Sequence, residues 1–144
     1  MKWVTRKSIR VNRVATAWLI RRFIDPQAEF IFVEPDQVAQ VQIQQAAKGF
    51  DAPGATYPHK DQKGRCSFET LVDEYCANNP VLQKIAGIVR GADFPEEINS
   101  TAESAGLQLI SQGFPLAAKD DHDTVAKASF LYDALYAAIE SRSK

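Results

Sequence analysis

Residues 12–33 have the sequence NRVATAWLIRRFIDPQAEFIFV, a helical pattern followed by the clearest strand pattern in the chain. Asn12 is a suitable N-cap and Asp25-Pro26 is a strong stop signal, so we predict a helix over residues 12–24. Residues 29–33 are aromatic and β-branched, which is typical of a strand. Because Trp3-Val4-Thr5 predicts another short strand, this region should form a parallel, right-handed strand–helix–strand unit.

Most of the remaining chain has helical patterns. Cap residues, prolines and apolar periodicity predict further helices over residues 35–47, 68–77, 80–90, 98–111 and 121–141. We expect Ser67 to cap the second of these helices and Gly91 to end the third. Residues 50–64 are rich in turn signals and should form a loop. The prediction is one helix-rich domain over residues 1–144, of α/β or α+β class, with a small sheet packed by five to six helices.

The composition limits the classes of partner. The 144 residues carry a formal net charge of -1, so the excess of Lys and Arg that general nucleic-acid binding needs is lacking. No apolar stretch approaches the ~18 residues of a membrane span, and the N-terminus has no signal segment. We therefore expect a cytoplasmic protein without a nucleic-acid or membrane partner. Two cysteines, Cys66 and Cys76, are too few for a disulfide framework.

Scarce and chemically versatile side chains cluster in one short segment. His59, Cys66 and Glu69 lie close together in the sequence and include one of only two histidines. These side-chain types bind borderline metals, or act as base, nucleophile and acid. Asp93 and His122 are the candidates to complete a site for a divalent metal, Zn²⁺ or Fe²⁺. Cys66 precedes a helix start, where the dipole would lower the pKa of its thiol, so it is also the candidate catalytic residue.

Each of these residues also has a purely structural interpretation. Cys66 could be a small buried apolar side chain, and His59 a surface residue of the loop. Glu69 could satisfy N–H groups at the start of its helix. Asp93 could form a turn or act as the counter-ion of an arginine. The residues alone leave both interpretations open.

One arginine stands out by its position in a helix. On a helical projection, Arg22 falls in the middle of the apolar stripe of the helix predicted over residues 12–24. A buried guanidinium must find a carboxylate, several carbonyls or an anionic ligand. An internal salt bridge, or snorkelling of the side chain to the surface near the helix end, is one interpretation, and an oxyanion pocket formed with Arg65 and Arg90 is the other. Arg10 and Arg13 are expected to be solvated.

The helix predicted over residues 121–141 has apolar residues at heptad-like spacing. Its stripe contains Val125, Ala128, Tyr132, Leu135 and Ile139. A core-packing face is the simplest interpretation, and the seam of a homodimer is the alternative. The acidic residues around His122 complement the dipole of the helix N-terminus.

Five motifs occur in order along nearly the whole chain. They are WVTR at residues 3–6, RVATAWLIRRFIDP at 13–26, GRCSFE at 64–69, IVRGAD at 88–93 and LYDALY at 131–136. Together they resemble the chromate-resistance ChrB domain. In longer members of that family the domain follows an N-terminal DNA-binding region and serves a chromate-responsive regulator. Because this chain begins at Met1 almost on the first motif, we expect it to lack that region, and the resemblance does not imply transcriptional control by this chain alone.

Three functional hypotheses follow. In the first, the domain binds a metal ion or a chromate-like oxyanion and contributes to chromate sensing or detoxification, as part of a stress response. Arg forks and helix N-termini suit such a tetrahedral dianion. In the second, it is a metal-dependent or thiol redox enzyme that uses Cys66. In the third, it is a dimerisation or scaffold module. The small inorganic ion of the first hypothesis is the expected partner.

Overall fold

The computed structural model describes residues 1–143, a helix-rich α+β fold, which confirms the predicted fold class. The strands are β1 (Lys2–Arg6), β2 (Glu29–Val33) and β3 (Lys48–Gly49). The helices are α1 (Val11–Leu19), α2 (Val38–Gln44), α3 (Ser67–Tyr75), α4 (Pro80–Asp93), α5 (Ser104–Ala117) and α6 (Asp121–Arg142). The π-helical turn Ile20–Ile24 continues α1, and short 3-10 turns occupy Pro35–Gln37 and Pro95–Glu97. No helix within the described residues is long and apolar enough to cross a bilayer.

The three strands form one parallel sheet in the order β2-β1-β3. Trp3 pairs with Phe30 on one side and with Lys48 on the other, so the predicted parallel pairing of the first two strands is confirmed. The third strand was not predicted, because Lys48–Gly49 is only two residues long and has no β-branched or aromatic residue. The helix predicted over residues 35–47 is a 3-10 turn followed by α2, which already ends at Gln44.

Helix α1 lies at the centre of the molecule and is buried along its whole length. It packs against α3, α4 and α6. The indole of Trp18 stacks on the ring of Tyr132, with ring centroids 5.5 Å apart, and its Nε1 donates a hydrogen bond to Asp133. On α6, Val125, Ala128, Tyr132 and Ile139 are buried, which supports the core-packing interpretation of that stripe. The homodimer seam stays a prediction.

The start of α1 differs from the prediction. Asn12 is not a cap but lies inside the helix, which begins at Val11 with Arg10 at the N-cap position. The buried Asn12 side chain donates to Ser67 Oγ at 2.6 Å and accepts from the backbone N–H of Phe68 at 3.2 Å. Asn12 therefore joins the start of α3 to α1, a tertiary role that the local sequence does not reveal.

The end of α4 also differs. Gly91 does not end the helix, which continues through Asp93. A Cβ atom at Gly91 would lie 2.3 Å from the Ser104 hydroxyl oxygen, so the glycine allows α4 and α5 to pack closely. As a result, Asp93 lies in the last turn of α4 and not in a loop beyond the helix. Helix α5 begins at Ser104 and not at the predicted residue 98, and in the turn before it Thr101 Oγ1 accepts from the Ser104 N–H at 3.1 Å.

Candidate functional site

A polar cavity of about 250 Å³, called here the charged cavity, opens beside the ends of β1 and β3. Its charged lining consists of Arg6, Arg10, Arg13, Asp51 and Asp93, and α5 adds two glutamines, Gln108 and Gln112. Five ionisable side chains around so small a volume make it the strongest candidate for ligand binding in the described part of the chain.

The topology of the sheet places these residues together. Arg6 is the last residue of β1, and Asp51 follows β3 after one further residue. Because both strands are parallel, their carboxyl ends lie at the same edge of the sheet, where ligands of open α/β sheets usually bind. Arg13 comes from the first turn of α1 and Asp93 from the last turn of α4.

Asp51 is the anionic centre of this cluster. Its side chain is only 3% exposed, and its Oδ1 lies 2.7 Å from His59 Nδ1 and 3.4 Å from Arg6 Nη2. Its Oδ2 lies 3.9 Å from Arg13 Nη1, and its backbone carbonyl accepts from Arg6 Nε at 2.8 Å. The backbone of Asp51 is held at a φ of 51°, a left-handed conformation that Asp tolerates better than most residues. The buried carboxylate therefore compensates two arginines at once, and His59 as well when its imidazole is protonated.

Arg13 is the buried arginine of α1. Its residue exposure is 8%, and burial lowers the pKa of its guanidinium while the charge of Asp51 acts in the opposite direction. Its Nη2 donates to the Ser8 carbonyl at 3.1 Å, but its Nε is buried without a hydrogen-bond partner. A buried charged donor without a partner is costly, so this nitrogen points to an acceptor that comes from outside the chain.

Asp93 and His59 form the other side of the cluster. Burial, reinforced by the charge of Asp51, raises the pKa of Asp93 to about 6. Its Oδ2 is buried without a hydrogen-bond partner and lies 3.6 Å from His59 Nδ1. The hydrogen bond to Asp51 raises the pKa of His59, although burial opposes this effect. Because the pKa of Asp93 is about 6, the cluster changes its charge by proton exchange at Asp93 in mild acid.

The predicted lowering of the Cys66 pKa was wrong. The Cys66 side chain is fully buried at the start of α3, and this burial raises the pKa of its thiol, an effect that the nearby charges of Glu69 and Asp93 reinforce. Glu69 accepts from the backbone N–H of Cys66 at 3.1 Å and pairs with Arg90 at 3.4 Å. Both residues therefore stabilise the start of α3, as their structural interpretation requires.

We expect the two cysteines to differ in accessibility. Treatment of the native protein with a thiol-specific reagent should label Cys76, which is partly exposed, and leave Cys66 unmodified. Mass spectrometry of the labelled protein measures this, with Cys76→Ser and Cys66→Ser as matched variants. Labelling should disappear in the first variant and persist in the second. Rapid labelling of Cys66 in the folded protein would contradict its assignment as an inert core residue.

The three arginines proposed for an oxyanion pocket are paired with carboxylates. Arg22 is exposed near the end of its helix and lies 3.4 Å from Asp133 on α6, which fits the interpretation as a salt bridge or a snorkelling side chain. The π-helical turn that contains it has more residues per turn than an α-helix, so the helical projection used for the prediction fails there. Arg65 Nε pairs with Asp61 at 2.8 Å, and Arg90 Nε pairs with Glu97 at 2.8 Å.

The predicted metal ligands are only partly brought together. His59 and Asp93 are neighbours, whereas the ring of His122 packs edge-on against Phe32, with centroids 4.9 Å apart. Across residues 1–143, no three His, Cys, Asp or Glu side chains converge in a group that could hold a metal ion. A divalent metal, Zn²⁺ or Fe²⁺, stays a prediction that elemental analysis of untagged protein tests.

Four of the five charged residues of the charged cavity were missed by the sequence reasoning. Arg10 and Arg13 were expected to be solvated, which holds for Arg10 alone, and neither Arg6 nor Asp51 was proposed as a site residue. The available signal was the position of Arg6 in the sequence. It directly follows the predicted strand Trp3-Val4-Thr5, and ligands usually bind at the carboxyl ends of parallel strands. Asp51 could not be found in this way, because β3 was not recognised as a strand.

Comparison with known proteins gives a consistent result. Residues 3–139 match the model of a family described as ChrB, C-terminal domain. The chain is 32% identical over 144 residues to Protein ChrB of Cupriavidus metallidurans, an alignment that covers 99% of this chain and 42% of that protein. The chain therefore spans less than half the length of this relative. No solved structure matches the chain.

Proposed function

The chain belongs to the family of ChrB C-terminal domains, and from this premise we propose that it binds a chromate-like tetrahedral oxyanion in the charged cavity. The family is related to chromate resistance, so such binding would contribute to chromate sensing or detoxification. The proposal keeps the oxyanion ligand expected from the sequence but assigns it to Arg6, Arg10 and Arg13. Arg22, Arg65 and Arg90 are less suitable, because none of them lines the charged cavity.

The observation that carries the proposal is the unpartnered Nε of the buried Arg13. A guanidinium presents its N–H groups in a planar fork that matches the oxygens of a tetrahedral oxyanion. Its Nη2 is fixed by the Ser8 carbonyl, so the fork is held in place before a ligand arrives. An oxyanion in the cavity would supply the acceptor that the chain itself does not.

The charge balance of the cavity also supports an anion. Three arginines face two carboxylates, and one of these, Asp93, has a pKa raised to about 6 by burial. His59 adds positive charge when it is protonated, and the hydrogen bond to Asp51 raises its pKa. In addition, α1 begins at the cavity, and the positive end of a helix dipole favours anions.

Calorimetric titration of the protein with chromate tests the proposal. The titration is done at a pH near 6, which is the pKa of Asp93. Replacement of the exposed Arg10 with alanine should weaken binding by roughly threefold to tenfold, because one cation of the cavity wall is lost. Arg10→Ala should leave the fold intact, since no ion pair of Arg10 holds the described structure together.

Arg22→Ala is the matched control, because it removes an exposed helical arginine outside the charged cavity. Chromate affinity should be the same in this variant as in the wild type. Equal losses in the two variants would indicate unspecific attraction rather than a site. An absence of measurable binding by the wild-type protein at millimolar chromate would overturn the proposed function.

A further inference from the structure

The charged cavity contains an unpartnered acceptor as well as an unpartnered donor. Asp93 Oδ2 and Arg13 Nε are both buried without a hydrogen-bond partner, and both residues line the cavity. A site with only donors would accept any tetrahedral anion of suitable size. The charged cavity also has the Asp93 carboxylate in its lining. Two anionic oxygens repel each other unless a proton lies between them, so the ligand must also suit this carboxylate.

We propose that the charged cavity selects tetrahedral oxyanions that carry a proton, and discriminates against sulfate, because the ligand must donate a hydrogen bond to Asp93. This inference rests on the proposed function and specifies the class of ligand. Hydrogen phosphate and hydrogen arsenate keep a proton at neutral and mildly alkaline pH, and hydrogen chromate keeps one in mild acid. Sulfate has no proton in this range.

Every charged group that faces Asp93 affects whether its carboxyl group holds a proton. Asp51, from the segment after β3, raises the pKa of Asp93 together with burial, whereas His59, Arg13 and Arg6 act in the opposite direction. The balance leaves the pKa of Asp93 at about 6, so the free site holds a carboxylate above that pH and a carboxylic acid below it. In the acid form Asp93 donates the hydrogen bond itself, and the ligand then needs no proton. The ligand and Asp93 together must hold one proton.

This rule predicts different pH profiles for different anions. When the pH is raised from about 6 to about 8, the affinity for sulfate should fall by roughly 10- to 100-fold relative to the affinity for hydrogen phosphate. The affinity for chromate should fall in the same way as chromate loses its proton. Any loss of the His59 charge, which the hydrogen bond to Asp51 opposes by raising the pKa of the imidazole, weakens all anions together. That common effect cancels when affinities for sulfate and phosphate are compared at each pH.

Calorimetric titration of the wild-type protein with sodium phosphate and sodium sulfate, at about pH 6 and pH 8, measures this ratio. Repeating the titrations in buffers of different ionisation enthalpy counts the protons taken up. At the higher pH, sulfate should bind weakly and take up one proton, whereas phosphate should bind without uptake. If both anions bind with a ratio that does not depend on pH, the inference is overturned and the proposed function stands. If neither binds, the inference is overturned, and the chromate titration decides the proposed function.

An amide at position 93 provides a second test. In Asp93→Asn the side chain can donate to an unprotonated oxygen, so the preference for phosphate at about pH 8 should fall to near unity. Asp73→Asn is the matched control, because this exposed carboxylate pairs with Arg65 outside the cavity. A preference for phosphate that survives in Asp93→Asn would contradict the assignment of selectivity to Asp93. If this variant does not fold, proton uptake by the wild-type protein still decides the question.

Discussion

Replacement of Asp51 with alanine should lower the free energy of unfolding by about 3 to 5 kcal/mol, because removal of one partner from a buried ion cluster leaves the others uncompensated. The side chain of Asp51 is 3% exposed and lies within 4 Å of His59, Arg6 and Arg13. Arg13 is itself buried, so water cannot replace the lost carboxylate there. Urea unfolding followed by circular dichroism gives the change as a shift of the midpoint at constant m value.

Asp51→Asn separates charge from shape. The amide keeps the volume of the side chain and tolerates the φ of 51°, so the loss of stability should be smaller than for alanine. In the asparagine variant the pKa of His59 should fall, since the hydrogen bond to Asp51 is the main effect that raises it. NMR titration of the imidazole signals measures this, with His122 as the internal reference. An unchanged His59 titration together with unchanged stability in both variants would contradict the role of Asp51 as the anionic centre.

Local sequence signals predicted much of the fold. The bounds of α6 and the pairing of β1 with β2 depend on caps, stop signals and residue types that act over a few neighbours. The errors occur where a tertiary contact decides the outcome. Asn12 has the chemistry of a cap but is buried by its bonds to α3, and Gly91 has the chemistry of a helix end but is needed for contact with α5. Such contacts involve residues that are distant in the sequence.

The candidate site was predicted less well than the fold, for a related reason. Proximity in the sequence suggested that His59, Cys66 and Glu69 share a site, but His59 contacts Asp51 and Asp93 while Glu69 contacts Arg90. Scarcity drew attention to His59, which contacts Asp51 and Asp93, and Asp93 was proposed as a candidate to complete the same site. The arginines were misjudged because a regular helical projection cannot account for the π-helical turn at Arg22. Only the parallel sheet brings Arg6 and Asp51 to one edge.

Replacement of Arg13 with lysine should reduce chromate affinity by about 10- to 100-fold, although the formal charge is unchanged. Lysine carries a point charge on a flexible stem and cannot reproduce the planar fork of the guanidinium. Arg13 Nε, the buried donor that lacks a partner, has no counterpart in lysine. Calorimetric titration at a pH near 6, the pKa of Asp93, measures the change, and Arg22→Lys serves as the control for the same substitution on an exposed helix face.

The pH dependence of the Arg13→Lys variant provides an independent check. Burial already lowers the pKa of the guanidinium at this position, but an arginine remains charged throughout the working range. A lysine in the same place starts from a lower pKa, and burial disfavours its charged form further, so it should lose its proton as the pH rises. The affinity of Arg13→Lys for hydrogen phosphate should therefore fall more steeply between about pH 6 and pH 8 than that of the wild type. Parallel pH profiles, with chromate affinity unchanged near pH 6, the pKa of Asp93, would show that Arg13 supports the fold but does not contact the ligand.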